Sequence, residues 1–82
     1  MAIVTIYSKK ECHLCEVAKE ELEALRYDFE FKLIEVDIGK DKPAFEKYKY
    51  LIPVVELDGK IISTYKVDTK KMKALLRKRS QL

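Results

Sequence analysis

One segment near the start of the chain sets its architecture: Ile3-Val4-Thr5-Ile6-Tyr7-Ser8-Lys9-Lys10-Glu11-Cys12-His13-Leu14-Cys15. Its first residues are mostly β-branched or aromatic, and this composition predicts a short buried strand from Ala2 to Tyr7. A polar loop follows, and the two cysteines come directly after it. The segment therefore predicts a strand that leads through a short loop to a Cys-x-x-Cys motif.

The residues after the loop have helical periodicity from about Cys12 to Leu25. Apolar residues recur at intervals of three and four and place one stripe on a helix, with charged residues on the opposite side. The stripe consists of Leu14, Val17, Ala18, Leu22 and Leu25. Cys12 is thus expected at the beginning of a helix, with Cys15 one turn further in.

The middle of the chain returns to strand character and then to a second helix. Residues from Phe29 to Ile38 alternate between apolar and polar, and a change of phase near Leu33 indicates a strand that starts late or contains a bulge. Asp41 can cap a short helix with Pro43 in its first turn. Phe45 and Tyr48 are expected on one side of that helix.

The last third of the chain predicts a hairpin and a third helix. Residues 54–57 and 60–64 are strand candidates, and Asp58-Gly59 between them is a strong hairpin turn signal. Asp68 or Thr69 can cap a final helix, whose apolar positions are Met72, Leu75 and Leu76. The predicted order is β-α-β-α-β-β-α, an α/β class with a four-stranded mixed sheet flanked by three helices.

Composition limits the classes of protein to which the chain can belong. Its 82 residues predict a single domain, residues 1–82. No apolar run is long enough for a membrane span, and the first residues lack the pattern of a signal peptide, so we expect a cytoplasmic protein without a membrane partner. The net charge of +3 comes from interspersed lysines and glutamates, which does not favour nucleic-acid binding.

The two cysteines are better explained by chemistry than by stapling of the fold, because they close only a tiny loop. A helix N-terminus presents unpaired N–H groups and the positive end of the helix dipole, which favour a thiolate. Such settings lower a cysteine pKa from about 8.5 to roughly 3.5–7.5. We therefore predict that Cys12 is the attacking thiolate and that Cys15 resolves the mixed disulfide.

Metal binding is the alternative interpretation of the cysteine pair. A structural zinc site needs four donors, and the chain offers only Cys12, Cys15 and His13 as soft donors. A site shared by two chains, such as a bridged iron–sulfur cluster held through Cys12, would overcome this shortage. For His13 itself, one hypothesis is an exposed residue without a role; the other is an imidazolium that stabilises the Cys12 thiolate.

The stretch Ile6 to Cys15 resembles the strand–loop–helix active site of small glutaredoxin-like proteins in the thioredoxin superfamily. Leu51-Ile52-Pro53-Val54 is similar to the segment that precedes the hairpin in that family, and the similarity extends over the whole chain. The usual Pro-Tyr between the cysteines is replaced by His13-Leu14. The resemblance implies a thioredoxin fold.

The resemblance also implies a set of site residues beside the catalytic Cys12 and Cys15. The Ile52–Pro53 bond would be cis and lie against the cysteine pair, so that the Ile52 main chain pairs with an extended substrate. Tyr7 and Lys9 match positions that line the family's site. The substrate-binding residues expected on this basis are Tyr7, Lys9, His13, Leu14, Ile52 and Pro53, with no metal ligand.

The chain departs from the family where glutathione-using glutaredoxins commonly carry a Gly-Gly pair followed by Asp. The corresponding residues run from Ser63 to Asp68 and contain no glycine, so the permissive backbone of that motif is absent. One interpretation of Asp68 is that it serves there only as a helix cap. Glutathione or a dithiol supplied through thioredoxin reductase therefore both stay open as the reducing co-substrate, with no tightly bound cofactor expected.

The function implied is thiol–disulfide exchange with protein or glutathione mixed disulfides, as in electron transport for cell redox homeostasis. The expected partners are a disulfide-containing protein substrate and the glutathione or thioredoxin reductase system, and the chain is expected to act as a monomer. A further hypothesis concerns the last helix, which carries a run of basic residues beside its apolar stripe. That helix could be a basic amphipathic interaction surface.

Overall fold

The strand-forming and helix-forming segments of the sequence fold in the predicted order. The computed structural model describes residues 2–80. The expected domain of residues 1–82 also includes residues 1, 81 and 82, which lie outside the described residues. The elements are β1 (Ala2–Ser8), α1 (His13–Leu25), β2 (Phe31–Asp37), α2 (Lys42–Tyr48), β3 (Val54–Leu57), β4 (Lys60–Thr64) and α3 (Thr69–Ser80). A single 3₁₀ turn, Ile38–Lys40, connects β2 to α2.

The four strands form one mixed sheet in the order β2-β1-β3-β4. β1 pairs in parallel with β2 and antiparallel with β3, and β3 pairs antiparallel with β4. Tyr7, near the carboxyl end of β1, lies opposite Val36 on one side and Val54 on the other. The parallel pair is joined by α1 and the hairpin by Asp58 and Gly59, as the sequence predicts.

The change of phase near Leu33 lies inside β2 and marks neither a late start at that point nor a bulge, since Leu33 and Ile34 are consecutive paired residues and both are half-buried. β2 begins at Phe31, and its pairing with β1 continues without interruption from Phe31 to Asp37. The register shift of the sheet lies instead between Val55 and Glu56, in the β3–β4 pair. Phe29 and Glu30 belong to the connection between α1 and β2.

Helices cover both faces of the sheet, and this produces two apolar clusters. The larger cluster packs α1 and α3 against one face through residues that include Leu22, Val55 and Met72. The smaller cluster packs α2 against the other face through residues that include Tyr48 and Val54. Because β3 is central and covered on both faces, all four of its residues are buried.

Two aspartates begin the helices that follow β2 and β4. Asp41 Oδ1 accepts a hydrogen bond from the Ala44 N–H at 3.1 Å, and Asp68 Oδ1 accepts one from the Lys71 N–H at 3.0 Å. These bonds satisfy main-chain donors that the helices themselves leave unpaired. None of the helices within residues 2–80 has the length and apolar character needed to cross a membrane.

One expectation for α2 is wrong. Phe45 was expected to face the same side as Tyr48, but Tyr48 is buried while Phe45 is 41% exposed. The second buried position belongs to Ala44, which lies four residues before Tyr48 and hence on the same face of the helix. The small alanine lets α2 approach the sheet, and Phe45 lies at the border of the packed face.

We expect Asp68→Ala to lower the free energy of unfolding by about 1 kcal/mol, because the Lys71 N–H loses its acceptor. Asp68→Ser retains an N-cap oxygen and should recover most of that loss. Urea denaturation of the three proteins measures the effect. Equal stability of the alanine and serine variants, both below the wild type, would contradict the capping role.

Candidate active site

The junction between β1 and α1 positions the cysteine pair. The chain leaves β1 at Ser8 and turns through Glu11, whose φ of 57° lies in the left-handed region that non-glycine residues rarely adopt. Cys12 is extended, with φ −116° and ψ 104°, and is the N-cap residue of α1. Both cysteines therefore lie at a strand-to-helix junction, as predicted from the sequence.

Cys12 and Cys15 form a disulfide, with their Cα atoms 5.2 Å apart. The Cys15 N–H donates to Cys12 Sγ at 3.2 Å, and the Glu16 N–H donates to the Cys12 carbonyl oxygen at 3.1 Å. Cys12 is half-buried, whereas only 3% of Cys15 is exposed. The two sulfurs thus differ in access: the first is reachable from solvent and the second is covered.

This geometry favours negative charge on the Cys12 sulfur when the disulfide is reduced. One of the unpaired N–H groups at the start of α1 points at Sγ, and the positive end of the helix dipole lies at the same place. A hydrogen bond to the charged form stabilises the thiolate relative to the thiol. The arrangement can therefore present one nucleophilic thiolate with a second thiol one helical turn behind it.

The loop before β3 lies at the same end of the sheet. Tyr7 is opposite Val54 in this antiparallel pair. The residue that follows Tyr7, Ser8, and the residue that precedes Val54, Pro53, are therefore also neighbours at this end. The Ile52–Pro53 peptide bond is cis, as the resemblance implies. The sheet therefore brings the start of this loop to the edge at which the chain continues from β1 to Cys12.

Tyr65 holds the loop in place through a contact that no pattern in the sequence predicts. Its N–H donates to the carbonyl oxygens of Leu51, at 3.1 Å, and Pro53, at 2.8 Å. Its φ of 70° again lies in the left-handed region, which glycine adopts far more readily than tyrosine. Within residues 2–80, the main-chain N–H and C=O of Ile52 have no hydrogen-bond partner.

The other predicted substrate-binding residues are distributed around the cysteines. His13 and Leu14 lie in the first turn of α1 and are exposed, Leu14 by 56%. Lys9 is exposed in the preceding loop. Tyr7 is half-buried, and its hydroxyl donates a hydrogen bond to Glu56. Contact of these residues with a substrate stays a prediction.

A cleft of about 350 Å³ opens beside the buried cysteine. It lies between the start of α1 and the carboxyl ends of β1 and β2, and its lining mixes both signs of charge. The lining residues are Ser8, Lys9, Lys10, Glu11, Cys15, Glu16, Lys19, Glu35, Asp37 and Lys40. Four cations and four carboxylates compensate one another, so the cleft has no net preference for an anion or a cation.

An ion pair connects two walls of this cleft. Lys19 Nζ of α1 is 2.7 Å from Glu35 Oε2 of β2. The hydrogen bond to Glu35 raises the pKa of Lys19 above its ordinary value. Both side chains are about half exposed, so the pair contributes little to stability. It marks where α1 and β2 meet across the cleft.

A larger hollow, of about 730 Å³, adjoins this cleft on the surface and shares Glu16 and Lys19 with it. It follows the outer side of α1 and is lined by Glu16, Lys19, Glu20, Glu23, Ala24, Arg26 and Tyr27. None of the residues predicted to bind substrate lines it. We therefore assign the candidate site to the cysteine pair and not to this hollow.

A buried carboxylate with two tyrosine donors lies on the face of the sheet opposite α1. The Tyr48 hydroxyl donates to Glu56 Oε2 at 2.8 Å, and the Tyr7 hydroxyl donates to Glu56 Oε1 at 3.2 Å. The two rings pack with centroids 4.7 Å apart. Burial, together with the neighbouring Glu56 carboxylate, raises the pKa of each tyrosine to about 12. This cluster connects the ends of β1, β3 and α2.

The sequence carried only a weak signal for that cluster. Glu56 is a lone charge within Val54-Val55-Glu56-Leu57, and in a half-exposed strand such a residue would point to solvent. Here the α2 side of the sheet is covered, so the glutamate points into the interior. A charged residue in a central strand indicates a buried partner, but tyrosine as that partner follows only from the tertiary structure.

The residues that the structure describes offer no arranged set of metal ligands. Within residues 2–80, no three or more histidine, cysteine, aspartate or glutamate side chains are grouped so as to hold a metal ion. Cys12 and Cys15 are bonded to each other. The hypothesis of a cluster shared between two chains stays untested.

The architecture and the position of the cysteines define the class of protein. The chain has the thioredoxin fold: it superposes on oxidized mitochondrial thioredoxin 3 from Saccharomyces cerevisiae with a TM-score of 0.67 at 13% identity, covering 94% of this chain and 77% of that one. The protein Ne2328 from Nitrosomonas europaea, solved by NMR, is more similar. Its TM-score is 0.81 at 25% identity, with 92% and 91% of the two chains covered.

The family follows from the sequence comparisons. Residues 3–77 match the glutaredoxin-like domain family, DUF836. The glutaredoxin-like protein YDR286C homolog of Dictyostelium discoideum is 35% identical over 75 residues, which cover 84% of this chain and 69% of that protein. The chain therefore belongs to the glutaredoxin-like family, as its resemblance predicts.

We expect two of the five tyrosines to ionise only near pH 12. Since these folded-state pKa values lie above the ordinary tyrosine value of 10.0, the stability that Tyr7 and Tyr48 contribute is fully present below pH 10 and is lost as the pH rises toward 12. Ultraviolet titration of tyrosinate, alongside circular dichroism, measures both effects. Glu56→Gln removes the carboxylate charge and should move this ionisation to lower pH.

Tyr50→Phe is the matched control, because Tyr50 is 80% exposed and takes no part in the cluster. This variant should keep both late-ionising tyrosines. If Glu56→Gln leaves the late phase of the titration unchanged, the carboxylate does not influence the two hydroxyls.

Proposed function

We propose that this protein is a thiol–disulfide oxidoreductase in which Cys12 attacks the disulfide of a substrate and Cys15 completes the exchange. The supporting observation is the unequal pair at the start of α1: an accessible sulfur that accepts a main-chain hydrogen bond, with a covered sulfur one turn away. Family membership supports the same reaction class. We place the reaction in the cytoplasm, where thiols are kept reduced.

The first step is attack of the Cys12 thiolate on one sulfur of the substrate disulfide. A bond forms between that sulfur and Cys12 Sγ, the substrate disulfide breaks, and the other substrate sulfur leaves as a thiolate that takes a proton from water. The Cys15 N–H that contacts Cys12 Sγ lowers the energy of the attacking thiolate. The product is a mixed disulfide.

The second step is attack of Cys15 on Cys12 Sγ. Cys15 loses its proton to solvent, a bond forms between the two protein sulfurs as the bond from Cys12 to the substrate breaks, and the remaining substrate sulfur leaves as a thiolate that takes a proton from water. The substrate gains two electrons and two protons, and the protein is left with the Cys12–Cys15 disulfide that the structure contains. A thiol reductant, either glutathione or a protein dithiol, must return both cysteines to the reduced state.

The loop at Ile52 supplies main-chain groups for an extended substrate. Its N–H and C=O are unpaired within residues 2–80, and the loop lies at the same edge of the sheet as the cysteine pair. A polypeptide bound beside Cys12 can pair with them as an added strand residue. Leu14, which is 56% exposed in the first turn of α1, offers apolar contact next to the cysteine pair in the chain.

Substitution of each cysteine should separate the two steps. Cys12→Ser should abolish reduction of insulin disulfides, because no accessible nucleophile is left. Cys15→Ser should still attack but should accumulate as a mixed disulfide with the substrate, which non-reducing gels and mass spectrometry detect. Turnover by the Cys12→Ser variant at the wild-type rate would contradict the assignment of roles.

The activated thiolate can be tested without a substrate. Iodoacetamide should alkylate reduced Cys12 at neutral pH about tenfold faster than a free thiol with a pKa of about 8.5. The Cys12→Ser variant, in which only the buried Cys15 is left, is the control and should react slowly. A rate for Cys12 equal to that of the free thiol would remove the basis of the proposed mechanism.

The reductant can be identified by parallel coupled assays. We expect thioredoxin reductase or another dithiol to reduce the protein better than glutathione, because the Tyr65 N–H is already bonded to two carbonyl oxygens and Asp68 caps α3. These groups are therefore less available for a glutathione carboxylate or amine. Turnover supported only by glutathione and its reductase would contradict this expectation.

A further inference from the structure

α3 carries the most strongly charged surface of the molecule. Six of the chain's 17 basic residues and none of its 14 acidic residues lie in this helix of 12 residues. The helix therefore has a charge of +6, and the rest of the chain has a charge of −3. The net charge of +3 is the sum of these two opposite charges and does not reveal how they are distributed. The basic residues are Lys70, Lys71, Lys73, Arg77, Lys78 and Arg79.

Five of these six residues form one continuous exposed face, which we call the basic face. At 100° per residue, Lys70, Lys71, Lys73, Arg77 and Lys78 fall within an arc of about 160° around the exposed Ala74. Within residues 2–80 none of the five makes an ion pair, whereas Arg79 pairs with Asp58. The basic face is thus uncompensated by neighbouring carboxylates.

The opposite side of α3 is already used by the core. Met72 is fully buried and Leu76 is 2% exposed, and Leu75 packs against the same cluster. Insertion into a membrane interface needs a free apolar face, which this helix does not have. The basic face also carries no aromatic side chain on which a nucleic-acid base could stack. These observations favour a protein partner with an acidic surface.

The basic face begins beside the candidate active site. Tyr65 bonds to Pro53 in the loop at the cysteine end of the sheet, and three residues later Asp68 caps α3. Lys70 and Lys71 follow at once. At the far end, Arg79 pairs with Asp58 in the turn between β3 and β4. A helix of 12 residues is about 18 Å long, so the face extends from the edge of the site toward the opposite end of the molecule.

We propose that the basic face of α3 docks an acidic surface of the protein whose disulfide is exchanged at Cys12. This inference rests on the proposed function and adds the substrate class: disulfide-bearing polypeptides with acidic residues near the reacting cysteine. The opposite charges attract before contact and raise the rate of association, and the attraction weakens as salt shortens the Debye length to about 8 Å at 0.15 M. Chemistry at the sulfurs is unaffected by this attraction.

The test compares two peptide disulfides of equal length, one rich in glutamate and the other with glutamine at the same positions. For the wild type, kcat/KM for the acidic peptide should be about tenfold higher at low salt, and high salt should remove the difference. The triple variant Lys70→Glu, Lys73→Glu, Arg77→Glu should lose this preference. It should retain its rate with the small neutral bis(2-hydroxyethyl) disulfide, and circular dichroism checks its fold.

A second triple variant controls for net charge. Lys32→Glu, Lys42→Glu and Lys60→Glu make the same change of charge at exposed residues on β2, α2 and β4. This control should keep the preference for the acidic peptide. If both triple variants lose it equally, or if the wild type reduces both peptides equally well at low salt, the docking role of the basic face is overturned.

Binding measured without exchange distinguishes this inference from the proposed function. Fluorescence anisotropy with the acidic peptide, its cysteines replaced by serine, should show a dissociation constant about tenfold lower for the wild type than for the α3 variant. If the wild-type protein reduces no disulfide at all, including the neutral one, the proposed function is contradicted instead. Binding of anionic vesicles or of an RNA oligonucleotide through the basic face, with no preference for the acidic peptide, would replace the protein partner by that ligand.

Discussion

The antiparallel pairing of β1 with β3 is the constraint on which the candidate site depends. Tyr7 lies opposite Val54, so the segment that follows β1 and the segment that precedes β3 meet at one edge of the sheet. The first segment contains Cys12, and the second contains Ile52 and Pro53. A shift of this register by one residue would also turn the buried side chains of β3 to the opposite face, so the cores on both sides of the sheet hold the site in register.

The two faces of the sheet support this edge in different ways. On the α1 side the support is apolar packing, with Leu22 and Ala18 of the helix held against the strands. On the α2 side Glu56 accepts hydrogen bonds from Tyr7 and Tyr48. A buried carboxylate is costly unless it is hydrogen-bonded, so this cluster specifies how α2 and β1 fit together more than it adds stability.

Most of the fold could be predicted from the sequence because the local signals agree with one another. The order of elements, the capping aspartates, the Asp58-Gly59 turn and the helix start at Cys12 are all local features, and each is confirmed. The exposure of Phe45 was not predicted, because residues three and four positions from Tyr48 both neighbour it on a helix, and periodicity alone does not choose between Phe45 and Ala44. In the structure, packing against the sheet buries Tyr48 together with the smaller Ala44.

The parts of the site that could not be predicted are contacts between distant residues. The Tyr65 bonds to Leu51 and Pro53 join residues 12 or more positions apart, and the cluster around Glu56 joins three separate elements. No spacing in the sequence encodes such contacts. The resemblance to a family did indicate the cis bond before Pro53, because it carries information about tertiary position that periodicity lacks.

The role of Tyr65 has a consequence for how broadly the protein can select among partners. The Tyr65 N–H is hydrogen-bonded to the carbonyl oxygens on both sides of Ile52. Within residues 2–80 the loop therefore leaves the main-chain groups of one residue, Ile52, available to pair with another polypeptide. Main-chain groups are the same in every polypeptide, whatever its side chains. If Ile52 pairs with a substrate as proposed, the pairing is tolerant of side-chain identity, and discrimination between substrates has to come from surfaces outside the loop.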